Sequence, residues 1–245
     1  MSHARRMWRA YLACVTHVDH ALGLLLDHLD GRGLAGNTVV IYHADHGGYI
    51  GVHGLLEKAP GICSEAVCRV PFIWRVPGIA ERGIVSEQLV ENVDIAPTIT
   101  SLCGLPPMET VDGRDVSPLL MGEERPIRDV AVTENPWSRA IRWGRWRFVH
   151  YQPEMFGDDV GELYDLEDDP DEARNLYDDP LSQEVVHRSR RLLLEWLIGT
   201  SRVKTVWPSV GHRGRFFDFS TSGDGKESNR AGAAKRVMDG QLNYI

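Results

Sequence analysis

Cysteine is scarce in this 245-residue chain, and no two of the four cysteines stand as Cys-x-x-Cys. Cys14, Cys63, Cys68 and Cys103 show no zinc-ligand spacing, so they are expected to be buried, reduced thiols. Long apolar runs are missing too, and none approaches the ~20 residues that span a bilayer. The opening Met1 to Arg6 has no apolar core of the secretory kind behind it, so the chain as written is expected to be cytoplasmic, with no membrane partner. Cationic charge is in deficit: 27 Lys and Arg against 35 Asp and Glu, a formal net charge of −8. That balance argues against nucleic acid or an anionic membrane as a partner. It leaves open an anion held in a local pocket.

What is present fits a globular α/β protein. The chain is 42% hydrophobic and long enough for one large domain, or one with a small annex. Tyr11, Val15, Val18, Leu22, Leu25 and Leu29 recur at steps of four and three, which predicts a helix over 8–31 with one apolar face. Asp19, His20, Asp27 and His28 lie off that stripe, on a solvated face. The run Thr38 to His43 is β-branched and continuous, and is expected to be a buried, parallel strand. A polar, glycine-rich loop follows, from Ala44 to Gly54, where parallel sheets place their chemistry.

Further elements follow in order. Val70 to Val76 is a strand, and 93–103 a helix with Asn92 as its cap and Gly104 as its stop. Asp129 to Glu134 is a short strand, and Ala140 to Tyr151 a hairpin turning at Gly144. Glu162 to Leu166 adds a strand, and Leu181 to Ile198 a helix. Beyond Gly199 the composition turns to Gly, Ser, Arg and Lys, which predicts an irregular tail. Trp137, Trp143 and Trp146 are read as ordinary packing in the small sheet.

The chemistry-bearing stretch is Asp45-His46-Gly47-Gly48 through His53 to Lys58. Asp45 is a hard oxygen ligand and His46 an imidazole ligand beside it. The two reach one cation only if the backbone turns sharply, which Gly47-Gly48 permits. Lys58, thirteen residues past Asp45, supplies a compact positive charge for a tetrahedral oxyanion. His53 lies between them and is placed to donate to the same anion or to a leaving group. Each piece alone is weak, because an Asp-His dipeptide after a strand is more often a turn.

Asp45-His46-Gly47, Gly51, His53-Gly54-Leu55 and Lys58 together resemble the second metal-binding segment of the sulfatases, in the alkaline-phosphatase-like superfamily. Other segments match in the same order. They are Glu65 to Pro71 ending in Arg-Val-Pro, Asp94-Ile95-Ala96-Pro97-Thr98, Asp112-Gly113-Arg114, and Glu162-Leu163-Tyr164-Asp165-Leu166 followed by Asp169-Pro170, Glu172 and Asn175-Leu176. The resemblance covers about residues 8–200. It implies an incomplete alkaline-phosphatase-like parallel-sheet domain over 1–125, a small α+β carboxy-terminal subdomain over 126–200 and an irregular tail over 201–245.

The same resemblance makes Asp45 and His46 metal ligands, and Lys58 the residue that binds the sulfate ester, with His53 as a further substrate contact. Lys58 and His53 are then the catalytic candidates. The implied metal is calcium, or manganese in branches acting on phosphonates or phosphodiesters. The family's nucleophile is a formylglycine made in a Cys/Ser-x-Pro-x-Arg motif. No cysteine or serine here fits that motif, and the family's Asp-Asp metal pair has no counterpart. The nucleophile and its formylglycine are therefore expected in an upstream part, and the missing amino-terminal half is the expected partner. Alone, the chain is expected to be inactive. Two other readings are a phosphonate monoester or phosphodiester hydrolase of the same superfamily, and a non-catalytic partner subunit.

Overall fold

The computed structural model describes residues 3–56, 58, 62–79, 83–108 and 110–201. Contacts divide the chain into one unit over 1–201 and another over 202–245. The expected tail therefore lies outside the described residues.

The first helix, α1 (His3–Gly31), forms where the four-three periodicity predicts it. Its stripe is only partly covered: Tyr11, Val15, Val18 and Leu25 are exposed. A groove of about 270 Å³ separates α1 from the sheet behind it, lined by Val15, Leu22, Leu26, Val40, Tyr42 and Ile73. That sheet has two strands, β1 (Val40–His43) and β2 (Phe72–Arg75). They pair antiparallel, with Val40 opposite Arg75 and His43 opposite Phe72. The expected parallel pairing for 38–43 is thus corrected among the described residues. A β-branched run makes a strand, but its side chains do not choose the partner's direction. Val40, Ile41 and Tyr42 are half-buried, not enclosed on both faces.

Between the strands lie the glycine-rich loop and the short helix α2 (Glu65–Cys68). After β2 the chain enters a 3₁₀ turn over Asn92–Asp94 that runs into α3 (Ile95–Leu102). Asp94 is fully buried and holds this corner together. Its carboxylate accepts from the backbone N–H of Glu91 at 2.8 Å and of Arg114 at 2.7 Å, and from both terminal nitrogens of Arg128 at 2.5 and 2.6 Å. Arg114 can come so close because Gly113 lacks a Cβ, which would stand 1.9 Å from the Val93 carbonyl oxygen. Thr98, also fully buried, accepts from the Val116 N–H at 3.0 Å, just ahead of α4 (Ser117–Leu120).

The rest of the unit is an antiparallel meander: β3 (Ala131–Glu134), β4 (Ser138–Trp143), β5 (Trp146–Tyr151) and β6 (Gly161–Asp165). A short helix, α5 (Pro153–Phe156), bridges β5 and β6. The long helix α6 (Gln183–Thr200) lies on this sheet. Ile141, Phe148 and Leu163 from the strands meet Tyr177, Val186 and Leu193 in one core. Trp143 and Trp146 pack against that core, and the Trp143 indole N–H donates to Ser189 at 2.9 Å. Two buried arginines cross the boundary expected near residue 125: Arg128 to Asp94 and Glu91, and Arg147 to Glu65.

Candidate functional site

The site starts where β1 ends. Asp45 leaves the strand with its carboxylate open to solvent, and His46 follows with its ring half exposed. The His46 N–H donates to Asp45 Oδ1 at 2.9 Å. That bond holds the Asp45 carboxyl below its usual range. The carboxylate is thus kept in the ionised form that a cation requires.

His46 is oriented from the other side. Its Nδ1 lies 2.8 Å from the Gly47 carbonyl oxygen. A carbonyl only accepts, so Nδ1 carries a proton, and Lys58 Nζ can only donate, so the Nε2 it faces takes the acceptor role. Nε2 is 3.5 Å from Asp45 Oδ2, and Lys58 Nζ stands 3.4 Å from the same Nε2. Two donors bound at right angles to one calcium ion, each ~2.4 Å away, would stand ~3.4 Å apart. The Asp45–His46 pair therefore fits a divalent cation in spacing, charge and tautomer. It supplies two donors of the six to eight that calcium takes. Among the described residues no group of three or more His, Cys, Asp or Glu is arranged for a metal.

The turn that makes this pairing possible is built by contact. Neither Gly47 nor Gly48 is left-handed. Gly47 instead approaches α2 closely, donating its N–H to Val67 at 2.7 Å, and a Cβ at 47 would stand 2.2 Å from the Ala66 carbonyl oxygen. The left-handed positions come later, at Ile50, Gly51, His53 and Gly54, in a tight loop closed by Gly51 N–H to Leu55 at 2.6 Å.

His53 does not join the other three. Among the described residues it makes no hydrogen bond to Asp45, His46 or Lys58. Its ring packs edge-on to buried Tyr49 at 6.1 Å. The structure thus brings Asp45, His46 and Lys58 together and sets His53 apart on the same loop.

Two features escaped the sequence reading. Asn92, expected to cap the helix, does not. Glu91 takes that place, and the Asn92 amide reaches back to the carbonyls of Ala44 at 3.0 Å and Asp45 at 3.4 Å. The second is a buried cluster beneath α2. Arg147 pairs with Glu65 and Glu172, both at 2.8 Å, and Glu172 accepts the Glu65 N–H at 2.9 Å. Burial pushes the Glu172 carboxyl up, against the pull of Arg147. The cysteine expectation is corrected as well: Cys63 is buried and Cys68 partly so, but Cys14 and Cys103 are exposed.

Residues 51–197 match the family model of the N-sulphoglucosamine sulphohydrolase carboxy-terminal region. The chain belongs to the sulfatase family. It is similar to the N-acetylglucosamine-6-O-sulfatase of Bacteroides thetaiotaomicron, 30% identical over 181 residues, covering 69% of this chain and 32% of that protein. Its fold is similar to a protein solved in complex with its substrate D-glucosamine-2-N,6-O-disulfate (TM-score 0.70, 28% identity, 78% of this chain and 40% of that one). It is also similar to the phosphonate monoester hydrolase of Agrobacterium radiobacter (TM-score 0.68, 26% identity, 76% and 40%). The sulfatase chain described here thus spans well under half the length of these relatives, and corresponds to their carboxy-terminal part. Among its described residues, no helix is long and apolar enough to cross a membrane.

Proposed function

We propose that this chain is the carboxy-terminal part of a sulfuric ester hydrolase, contributing half of a metal centre and one arm of the anion site. The observation that carries the reading is the convergence of Asp45 Oδ2 and Lys58 Nζ on His46 Nε2 at 3.5 and 3.4 Å. Asp45 and His46 would hold the divalent cation, with calcium favoured by the hard carboxylate and manganese the alternative. The cation would supply charge for oxygens that become more negative as the ester bond breaks. Lys58 would bind the ester's anionic oxygens, and its closeness to Nε2 supports an anion held beside the metal. His53 would contact the substrate from the far end of the loop.

The nucleophile, a formylglycine, would come from a preceding portion of the sulfatase domain, which would also complete the ligand set. The chain alone would then be catalytically silent. The similarity to a phosphonate monoester hydrolase favours a second reading, in which the same Asp45, His46 and Lys58 act on a phosphonate or phosphodiester. The first reading is tested by assaying the purified chain with calcium on p-nitrophenyl sulfate. No nitrophenol is expected. Turnover by this chain alone, abolished in Asp45→Ala, would overturn the half-site reading.

A further inference from the structure

We propose that Glu172 is a positioning residue for the Asp45–His46 pair, acting through α2, on which the turn after that pair rests. The consequence for a cation rests on the reading of Asp45 and His46 as its ligands; the tether itself does not. With four residues, α2 is a single helical turn, which has no stability of its own. Ser64 stands where a capping side chain would, yet its hydroxyl makes no cap bond. The Glu65 N–H is taken instead by Glu172 Oε2 at 2.9 Å, from 107 residues further along the chain. The other carboxylate oxygen, Oε1, lies 2.8 Å from Arg147 Nε, and each of these two side chains is only 3% exposed. The same guanidinium donates to the Cys63 carbonyl at 2.9 Å and to the Glu65 carboxylate at 2.8 Å. Two residues of the carboxy-terminal subdomain thus fix the start of α2.

Glu172 holds this position against its own backbone preference. Its φ is 54°, a left-handed conformation that is disfavoured for a residue with a long side chain. Glycine or asparagine fits that conformation more readily. Neither would bring a carboxylate to the Glu65 N–H and to Arg147 together.

From α2 the order passes to the candidate site through backbone. The Val67 carbonyl accepts the Gly47 N–H at 2.7 Å, and Gly47 stands so close to Ala66 that a Cβ would not fit. The Gly47 carbonyl in turn lies 2.8 Å from His46 Nδ1, and the His46 N–H donates to Asp45 Oδ1 at 2.9 Å. A displacement of α2 therefore moves Gly47, and with it the carbonyl that orients His46. Glu172 is one contact further out than Gly47 and is no ligand; it sets where the ligands stand.

The test uses two variants of the whole chain. Glu172→Gln keeps the length and an acceptor oxygen for the Glu65 N–H but loses the charge facing Arg147. Glu172→Asp keeps the charge and tolerates the left-handed backbone, but is one methylene too short to reach Glu65. Amide exchange is followed by NMR at Gly47 and along β4 and β5. Gly47 exchange is expected to rise by about tenfold or more in Glu172→Asp, as for loss of a charge-assisted hydrogen bond. It should stay near the parent rate in Glu172→Gln, with β4 and β5 unchanged in both. Unchanged Gly47 exchange in Glu172→Asp, a rise shared by β4 and β5, or a rise in Glu172→Gln alone would overturn the tether. A calcium titration of the same samples reads the consequence: half-saturation of the Ala44–Gly47 shifts should move to higher calcium in Glu172→Asp and not in Glu172→Gln. Equal half-saturation in all three proteins would overturn the positioning role. A parent chain that shows no calcium shifts, while Gly47 exchange still follows the expected order, would sink the metal reading and leave the tether standing.

Discussion

Gly47 lies so close to Ala66 that a Cβ at position 47 would stand 2.2 Å from the Ala66 carbonyl oxygen. The turn after Asp45 and His46 is therefore pressed onto α2 by backbone, which cannot swing aside like a side chain. Gly48, one residue on, has only the tip of Ile50 at 3.8 Å. Gly47→Ala is expected to destabilise the chain by about 1–3 kcal/mol, as overpacking does. Gly48→Ala should stay within about 0.5 kcal/mol of the parent. Urea unfolding of the pair measures both, and equal midpoints for the two variants would count against the contact.

Asn92 ties the start of the α3 corner to the end of β1. Asn92→Ala removes two amide bonds to exposed carbonyls, so its stability cost should be small, about 0.5–1.5 kcal/mol. Its larger effect should fall on Asp45, whose backbone loses its tether. Amide exchange over residues 44–46 is expected to rise while exchange in the β3–β6 sheet stays put. A uniform rise across the unit would mean that Asn92 merely stabilises the fold.

Arg128 and Asp94 form a fully desolvated pair, with Glu91 as a third member at 3.1 Å. Removing one partner leaves an uncompensated buried charge, so Arg128→Ala should cost about 3–5 kcal/mol. Thermal unfolding reads this directly. A loss under about 1 kcal/mol would mean that water reaches the pair.

His150, on β5, gives a pH signature. Burial lowers its pKa, and the Arg190 charge lowers it further, with Asp159 opposing. The unfolded chain therefore binds this proton at a higher pH than the folded chain. The stability it supports is complete above the ordinary imidazole range and is lost as pH falls through it. Between about pH 7.5 and about pH 6, the urea midpoint of the parent should drop more than that of His150→Gln. Parallel profiles for the two proteins would show that His150 is as well solvated folded as unfolded.

Local order was largely legible. The four-three periodicity placed α1, the β-branched runs placed β1 and β2, and Gly144 between Trp143 and Trp146 placed the hairpin turn. The dipeptide Asp45-His46 and the later Lys58 pointed to the candidate site, and the fold brings the three side chains together. Pairing direction was not legible, because β1 meets β2 through backbone bonds that its side chains do not encode. Asn92 before a helix looks like a cap, and nothing near it in sequence announces that its amide serves carbonyls 47 and 48 positions earlier. Glu65, Arg147 and Glu172 are likewise far apart along the chain and meet only after the meander folds. The sequence motifs containing Glu65 and Glu172 were read separately, and the buried arginine that joins them carries no motif of its own.

The most direct test of the central claim is a calcium titration of the assigned chain by NMR. Two donors of an incomplete ligand set should bind weakly, with half-saturation at about 1 mM or above. Shifts should be confined to Ala44–Gly47 and the Asn92 side chain, and Asp45→Ala should abolish them. Micromolar affinity, or shifts centred on another part of the chain, would contradict the assignment of Asp45 and His46 as one half of a sulfatase metal centre.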